Sequence, residues 1–68
     1  MIVNVVMNGK SEQLKDVISV AAFIKSRGLK TEAVVVELNG QVVNRSDYDQ
    51  IRINDNDQLE LIQYMGGG

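Results

Sequence analysis

Cysteine and histidine are absent from this 68-residue chain, and only 4% of it is aromatic. Without cysteine there is no disulfide staple and no thiolate nucleophile. Without histidine as well, the usual zinc ligand sets and every dyad or triad built on imidazole are excluded. Neither sign of charge dominates: seven Lys and Arg stand against nine Asp and Glu, a net charge of −2. That balance excludes a strongly basic nucleic-acid binder and an acidic solvating tail. There is no long hydrophobic run. The apolar start, residues 1–7, is far too short to span a bilayer, lacks a positive flank and contains Asn4. The expectation is a soluble, cytoplasmic protein with no membrane and no nucleic-acid partner.

What is present fits a small folded domain. Apolar residues make up 44% of the chain, too many for a disordered segment. The length allows one core and no second. Such a domain relies on hydrogen-bonded regularity and on a core worth about 3–5 kcal/mol. Glycine marks its joints. Gly9, Gly28 and Gly40 stand singly where elements should end, whereas Gly66, Gly67 and Gly68 take half of the six glycines.

Residues 3–7 alternate, with Val3, Val5 and Met7 on one face and Asn4 and Val6 on the other, which predicts a strand. Asn8-Gly9 follows, a pair that accepts the positive φ angles of a tight hairpin turn, and residues 10–14 read as the return strand. Ser19 suits a helix N-cap, with Val20, Phe23, Ile24 and the stem of Arg27 along one helical face. Ile18 and Phe23 hold the positions of a hydrophobic staple, and Gly28-Leu29 suits a Schellman stop. Lys25 and Arg27 fall in the last turn, where the helix dipole favours cations.

Residues 34–38 are rich in β-branched side chains, Asn39-Gly40 is a second hairpin signal, and residues 41–43 form the return. Residues 44–57 are polar and turn-rich, with Tyr48 and Ile51 as apolar pins of a short helical turn. Residues 58–64 alternate again: Leu59 and Leu61 face one way, Glu60, Ile62 and Tyr64 the other. The predicted order is strand, strand, helix, strand, strand, strand. The last strand is expected to be central and parallel to the first, because a helical crossover permits parallel pairing and a tight hairpin does not. The result is an α+β roll, a mixed sheet of about five strands packed on one helix.

This order, length and glycine ending look like the β-grasp, ubiquitin-like fold. The stretches Asn39-Gly40-Gln41-Val42-Val43-Asn44-Arg45 and Asp57-Gln58-Leu59-Glu60-Leu61, with the ending Met65-Gly66-Gly67-Gly68, resemble the ThiS family, sulfur carriers of thiamin biosynthesis. The resemblance covers nearly the whole chain, with a domain over residues 1–65 and a flexible glycine tail over 66–68. One departure is Asn44, where family members often carry proline. The resemblance implies a carrier and substrate, not an enzyme. An E1-like adenylyltransferase would activate the Gly68 carboxylate with ATP, a sulfur-donating enzyme would supply the sulfur, and thiazole synthase would accept it from a thiocarboxylate. No cofactor would be bound by the carrier itself; ATP is used by the partner.

The residue chemistry stands beside this resemblance. A carboxylate becomes an acyl donor only when one oxygen is made a leaving group, and the adenylating enzyme must surround the reacting carbon. A tail without side chains suits a narrow site, so Gly66 and Gly67 are expected to thread and Gly68 to be the modified residue. These three glycines extend about 10 Å when fully stretched and adopt any φ/ψ asked of them. Read in isolation, they fit a frayed terminus or a cloning scar equally well. Ile62 and Tyr64, joined by Val42, are expected to form a docking patch for the partner; scattered surface apolar residues are also ordinary.

Other signals carry less. Asp55-Asn56-Asp57 starts like a calcium loop, but Leu59 occupies a ligand position and the required Gly and distal Glu do not follow, so a turn is expected. Asp47 and Asp49 read as a solvated loop, and the four lysines are dispersed. Two relatives of the leading reading stay open: a molybdopterin-synthase small subunit and a ubiquitin-like modifier joined to lysine through Gly68. A plain interaction module with an inert tail is the third.

Overall fold

The computed structural model describes residues 1–63. Strand β1 (Val3–Met7) turns through Asn8-Gly9 into β2 (Lys10–Leu14), and β3 (Ile18–Ser19) leads directly into helix α1 (Val20–Ser26). A 3-10 turn at Thr31–Ala33 precedes β4 (Val34–Leu38), which turns through Asn39-Gly40 into β5 (Gln41–Val42). A second 3-10 turn at Arg45–Asp47, β6 (Arg52–Ile53) and β7 (Gln58–Gln63) complete the described chain.

The main sheet has the order β2-β1-β7-β4-β5. β7 is central, parallel to β1 and antiparallel to β4, the arrangement anticipated from the crossover helix. Both Asn-Gly turns adopt positive φ at both residues, 51° and 82° at Asn8-Gly9 and 52° and 84° at Asn39-Gly40. Those angles match the right-handed twist of the strands they join.

The helix is set by its ends. Ser19 Oγ accepts from Ala22 N–H at 3.0 Å, while the N–H groups of Val20 and Ala21 donate to the carbonyls of Ile51 and Tyr48 at 2.9 and 2.8 Å. The first-turn donors that a helix leaves orphaned are thereby satisfied. At the other end Gly28, with φ 74°, donates to Lys25 C=O at 3.0 Å and Leu29 N–H donates to Ile24 C=O at 3.3 Å. This is the Schellman pairing foreseen from Gly28-Leu29. Arg27 stacks 4.6 Å above the Phe23 ring centre and pairs with Glu12 on β2, tying the helix to the sheet edge.

The core lies between α1 and the inner sheet face. Val20, Ala21, Phe23 and Ile24 from the helix join Val3, Val5, Val34, Val36 and Leu59 from the strands. Tyr48 closes it, buried, with its hydroxyl donating to Val34 C=O at 2.9 Å. Among the described residues, no buried side-chain polar atom lacks a partner.

The structure adds one sheet that the alternation pattern did not show. β3 and β6 pair antiparallel through Ile18↔Ile53 and Ser19↔Arg52. Two-residue strands are too short to display a period, and their pairing spans a long sequence separation, so only the tertiary arrangement brings them together. The return strand after Asn39-Gly40 is also shorter than residues 41–43. Val43 turns inward, 7% exposed, although its N–H still donates to Val36 C=O at 2.9 Å.

Candidate functional site

The candidate site comprises the outer face of the sheet and the segment that follows β7. Gln58, Glu60 and Ile62 project from the outer face of β7. Register places Val35 of β4 opposite Ile62 and Glu37 opposite Glu60, and Val42 of β5 opposite Glu37. Val42 and Ile62 are 65% and 50% exposed, so two of the three anticipated docking residues lie on this face. The third, Tyr64, lies outside the described residues, as do Gly66, Gly67, Gly68 and the expected boundary between domain and tail at residue 65.

Val35 was not among the residues singled out from the sequence, yet it is the cross-strand partner of Ile62. The signal was present in the run Val34-Val35-Val36-Glu37-Leu38: period-two alternation puts Val35 and Glu37 opposite the buried Val34 and Val36.

The position of β7 is set from both sides by the two turn asparagines. Asn8 N–H donates to Leu59 C=O at 2.9 Å. Beyond it the Asn8 side chain continues the ladder: its Oδ1 accepts from Leu61 N–H at 2.9 Å and its Nδ2 donates to Leu61 C=O at 3.3 Å. On the opposite side Asn39 N–H donates to Gln58 C=O at 2.8 Å, and Asn39 Oδ1 accepts from Gln58 N–H at 2.9 Å. An amide side chain thus stands in for a strand peptide where each hairpin has already turned away.

Asp55-Asn56-Asp57 forms the expected turn, and its two carboxylates act as a brace. Asp57 Oδ2 accepts from Asn54 N–H at 2.7 Å, and its Oδ1 accepts from Asn39 Nδ2 at 3.0 Å. Asp55 Oδ1 accepts from Asn4 N–H at 2.7 Å. Every one of these carboxylate contacts is a protein hydrogen bond. Among the described residues no group of three His, Cys, Asp or Glu is placed to hold a metal, and no helix is long and apolar enough to cross a membrane.

A five-stranded mixed sheet with a parallel central pair, packed on a single crossover helix, defines the β-grasp class. The chain belongs to the ThiS family, whose model matches residues 3–68. The crystal structure of the thiamine biosynthesis protein ThiS from Geobacter metallireducens is similar with a TM-score of 0.82 and 32% identity, covering 96% of this chain and 99% of that one. The sulfur carrier protein ThiS of Bacillus subtilis is 29% identical over 91% of this chain and 96% of its own length. A thiazole synthase of Paramagnetospirillum magneticum is 35% identical over 93% of this chain, which spans only 19% of that longer protein.

Proposed function

We propose that the chain is a sulfur carrier of thiamin biosynthesis, acting as a substrate of other enzymes. Its carboxyl end at Gly68 is adenylated by an E1-like enzyme at the expense of ATP. A sulfur supplied by a donating enzyme then replaces one carboxylate oxygen as AMP leaves, and the resulting thiocarboxylate gives its sulfur to thiazole synthase. The chain itself holds no cofactor in this scheme, and its setting is the cytoplasm, where ATP and the donor enzyme are at hand.

One observation carries the proposal: the family match runs through residue 68, so it includes Gly66, Gly67 and Gly68 together with the folded body. The central position of β7 supports it. Hydrogen bonds on both sides brace the strand that leads into those glycines, which gives a partner a firm body to grip while it works on the terminus. The relative named thiazole synthase, which contains a segment like this chain, supports thiazole synthase as the acceptor. It favours the thiamin route over a molybdopterin-synthase subunit. Ile62 and Val42, with Tyr64, are the proposed contacts for the partner.

The test is an intact-mass measurement after incubation with the host's E1-like adenylyltransferase, ATP and a sulfur source. Exchange of one oxygen for sulfur at Gly68 is the expected result. Higher-mass conjugates to lysine would establish a modifier instead, and an unchanged mass would establish an inert module.

A further inference from the structure

The two sides of β7 are held by different means. On the β4 side main-chain pairing runs as far as Val34↔Gln63. On the β1 side the register pairs stop at Met7↔Leu59. There Val6 N–H donates to Asp57 C=O at 3.0 Å and Asn8 N–H to Leu59 C=O at 2.9 Å. The main chain then turns away into β2, with φ 51° at Asn8 and 82° at Gly9. One more rung of the parallel ladder would need a carbonyl and an N–H opposite Leu61. The Asn8 carboxamide supplies that pair. Its Oδ1 accepts from Leu61 N–H at 2.9 Å and its Nδ2 donates to Leu61 C=O at 3.3 Å, the same two functions that a peptide group carries.

Leu61 is therefore the last point at which the β1 side holds β7 among the described residues. Seven residues follow it, ending at Gly68. The second Asn-Gly turn acts elsewhere. Asn39 clamps Gln58, the first residue of β7, and donates to Asp57 just before it. Two turns alike in sequence thus divide the work: Asn39 fixes where β7 begins, and Asn8 fixes how it leaves the sheet.

We propose that Asn8 is a positioning residue for the chemistry at Gly68, acting through its carboxamide on Leu61. This rests on the carrier reading above and names a residue outside the tail and outside the outer face on which that reading depends. Asn8 touches neither ATP nor the reacting carbon. Adenylation requires that carbon to meet ATP in one geometry. Disorder at the root of the segment that bears it lowers the fraction of docked carrier in that geometry. Without the carboxamide the last residue held on both sides retreats from Leu61 to Leu59, which keeps its bond from the Asn8 main chain. Docking through the folded body is unaffected, so the loss falls on kcat and not on KM.

The experiment pairs ATP–pyrophosphate exchange, run with the host's E1-like adenylyltransferase, with amide hydrogen exchange followed by NMR. Asn8→Gly keeps the left-handed turn and removes only the carboxamide. Asn8→Asp keeps the turn and the acceptor for Leu61 N–H but loses the donor. Ser19→Ala is the control for stability alone, since it removes a helix-cap bond in the other sheet. The Leu61 amide is expected to exchange about tenfold faster in Asn8→Gly than in Ser19→Ala. Asn8→Gly is expected to lower kcat about fivefold with KM unchanged, Asn8→Asp to fall between it and the wild type, and Ser19→Ala to keep the wild-type kcat. If Asn8→Gly did not fold, Asn8→Asp carries the same test with a smaller drop. Wild-type kcat in an Asn8→Gly protein, or an equal drop in Ser19→Ala, would overturn the positioning role and leave the carrier reading standing. Unchanged protection at Leu61 would overturn the clamp itself. A wild type that supports no pyrophosphate exchange would overturn both readings.

Discussion

Asparagine 39 shows how much one residue does here. It supplies a positive φ of 52° to its turn, accepts from Gln58 N–H and donates to Asp57. Two substitutions separate these roles. Asn39→Gly keeps the left-handed conformation and loses only the side-chain bonds, for an expected cost of about 1–2 kcal/mol. Asn39→Ala loses the bonds and adds left-handed strain of roughly 1 kcal/mol more. Urea unfolding of both variants checks the order; equal stabilities would show that the conformation costs nothing at this position. The turn was legible in the sequence because Asn-Gly has a local conformational preference. The clamp on β7 was not, since it joins residues 19 positions apart, and no local pattern encodes such a partner.

At the scale of elements, the helix was the most legible part. Ser19, Ile18 with Phe23, and Gly28-Leu29 are local signals, and each is answered by a local bond or by burial in the structure. Removing the cap by Ser19→Ala should cost about 1 kcal/mol. Gly28→Ala, at φ 74°, should cost about 1–2 kcal/mol, even though a Cβ there meets nothing within 4 Å. Thermal or urea melts of the two variants test this, and a Gly28→Ala protein as stable as the wild type would contradict the strain argument. The strands were legible where alternation runs for five residues or more, as in β1 and β7. β3 and β6, two residues each, had no period to read.

For the whole molecule, folding and chemistry are expected to separate. Among the described residues the buried core runs from Val3 to Leu59, and deleting Gly68 is expected to leave the melting curve unchanged and abolish thiolation in the intact-mass assay. A truncated chain that still gains sulfur would contradict the assignment of Gly68. Ile62 lies on the outer face, half exposed. Ile62→Asp should therefore fold normally while raising KM for adenylation about tenfold, the scale of a central interface residue; an unchanged KM would remove Ile62 from the docking surface. Together these two outcomes would place recognition on the sheet face and reaction at the terminus.

The order of the helix and the five strands of the main sheet, the two turns, the helix caps and the inward and outward faces of the long strands were determined by the sequence alone. Each depends on contacts between near neighbours or on a repeating period that a few residues suffice to display. The tertiary structure alone decided that β3 pairs with β6, that Asn8 and Asn39 brace β7 from opposite sides, and that Glu37 meets Glu60. Those pairings join residues far apart in the chain, and register between strands is set only when the whole apolar face is buried at once.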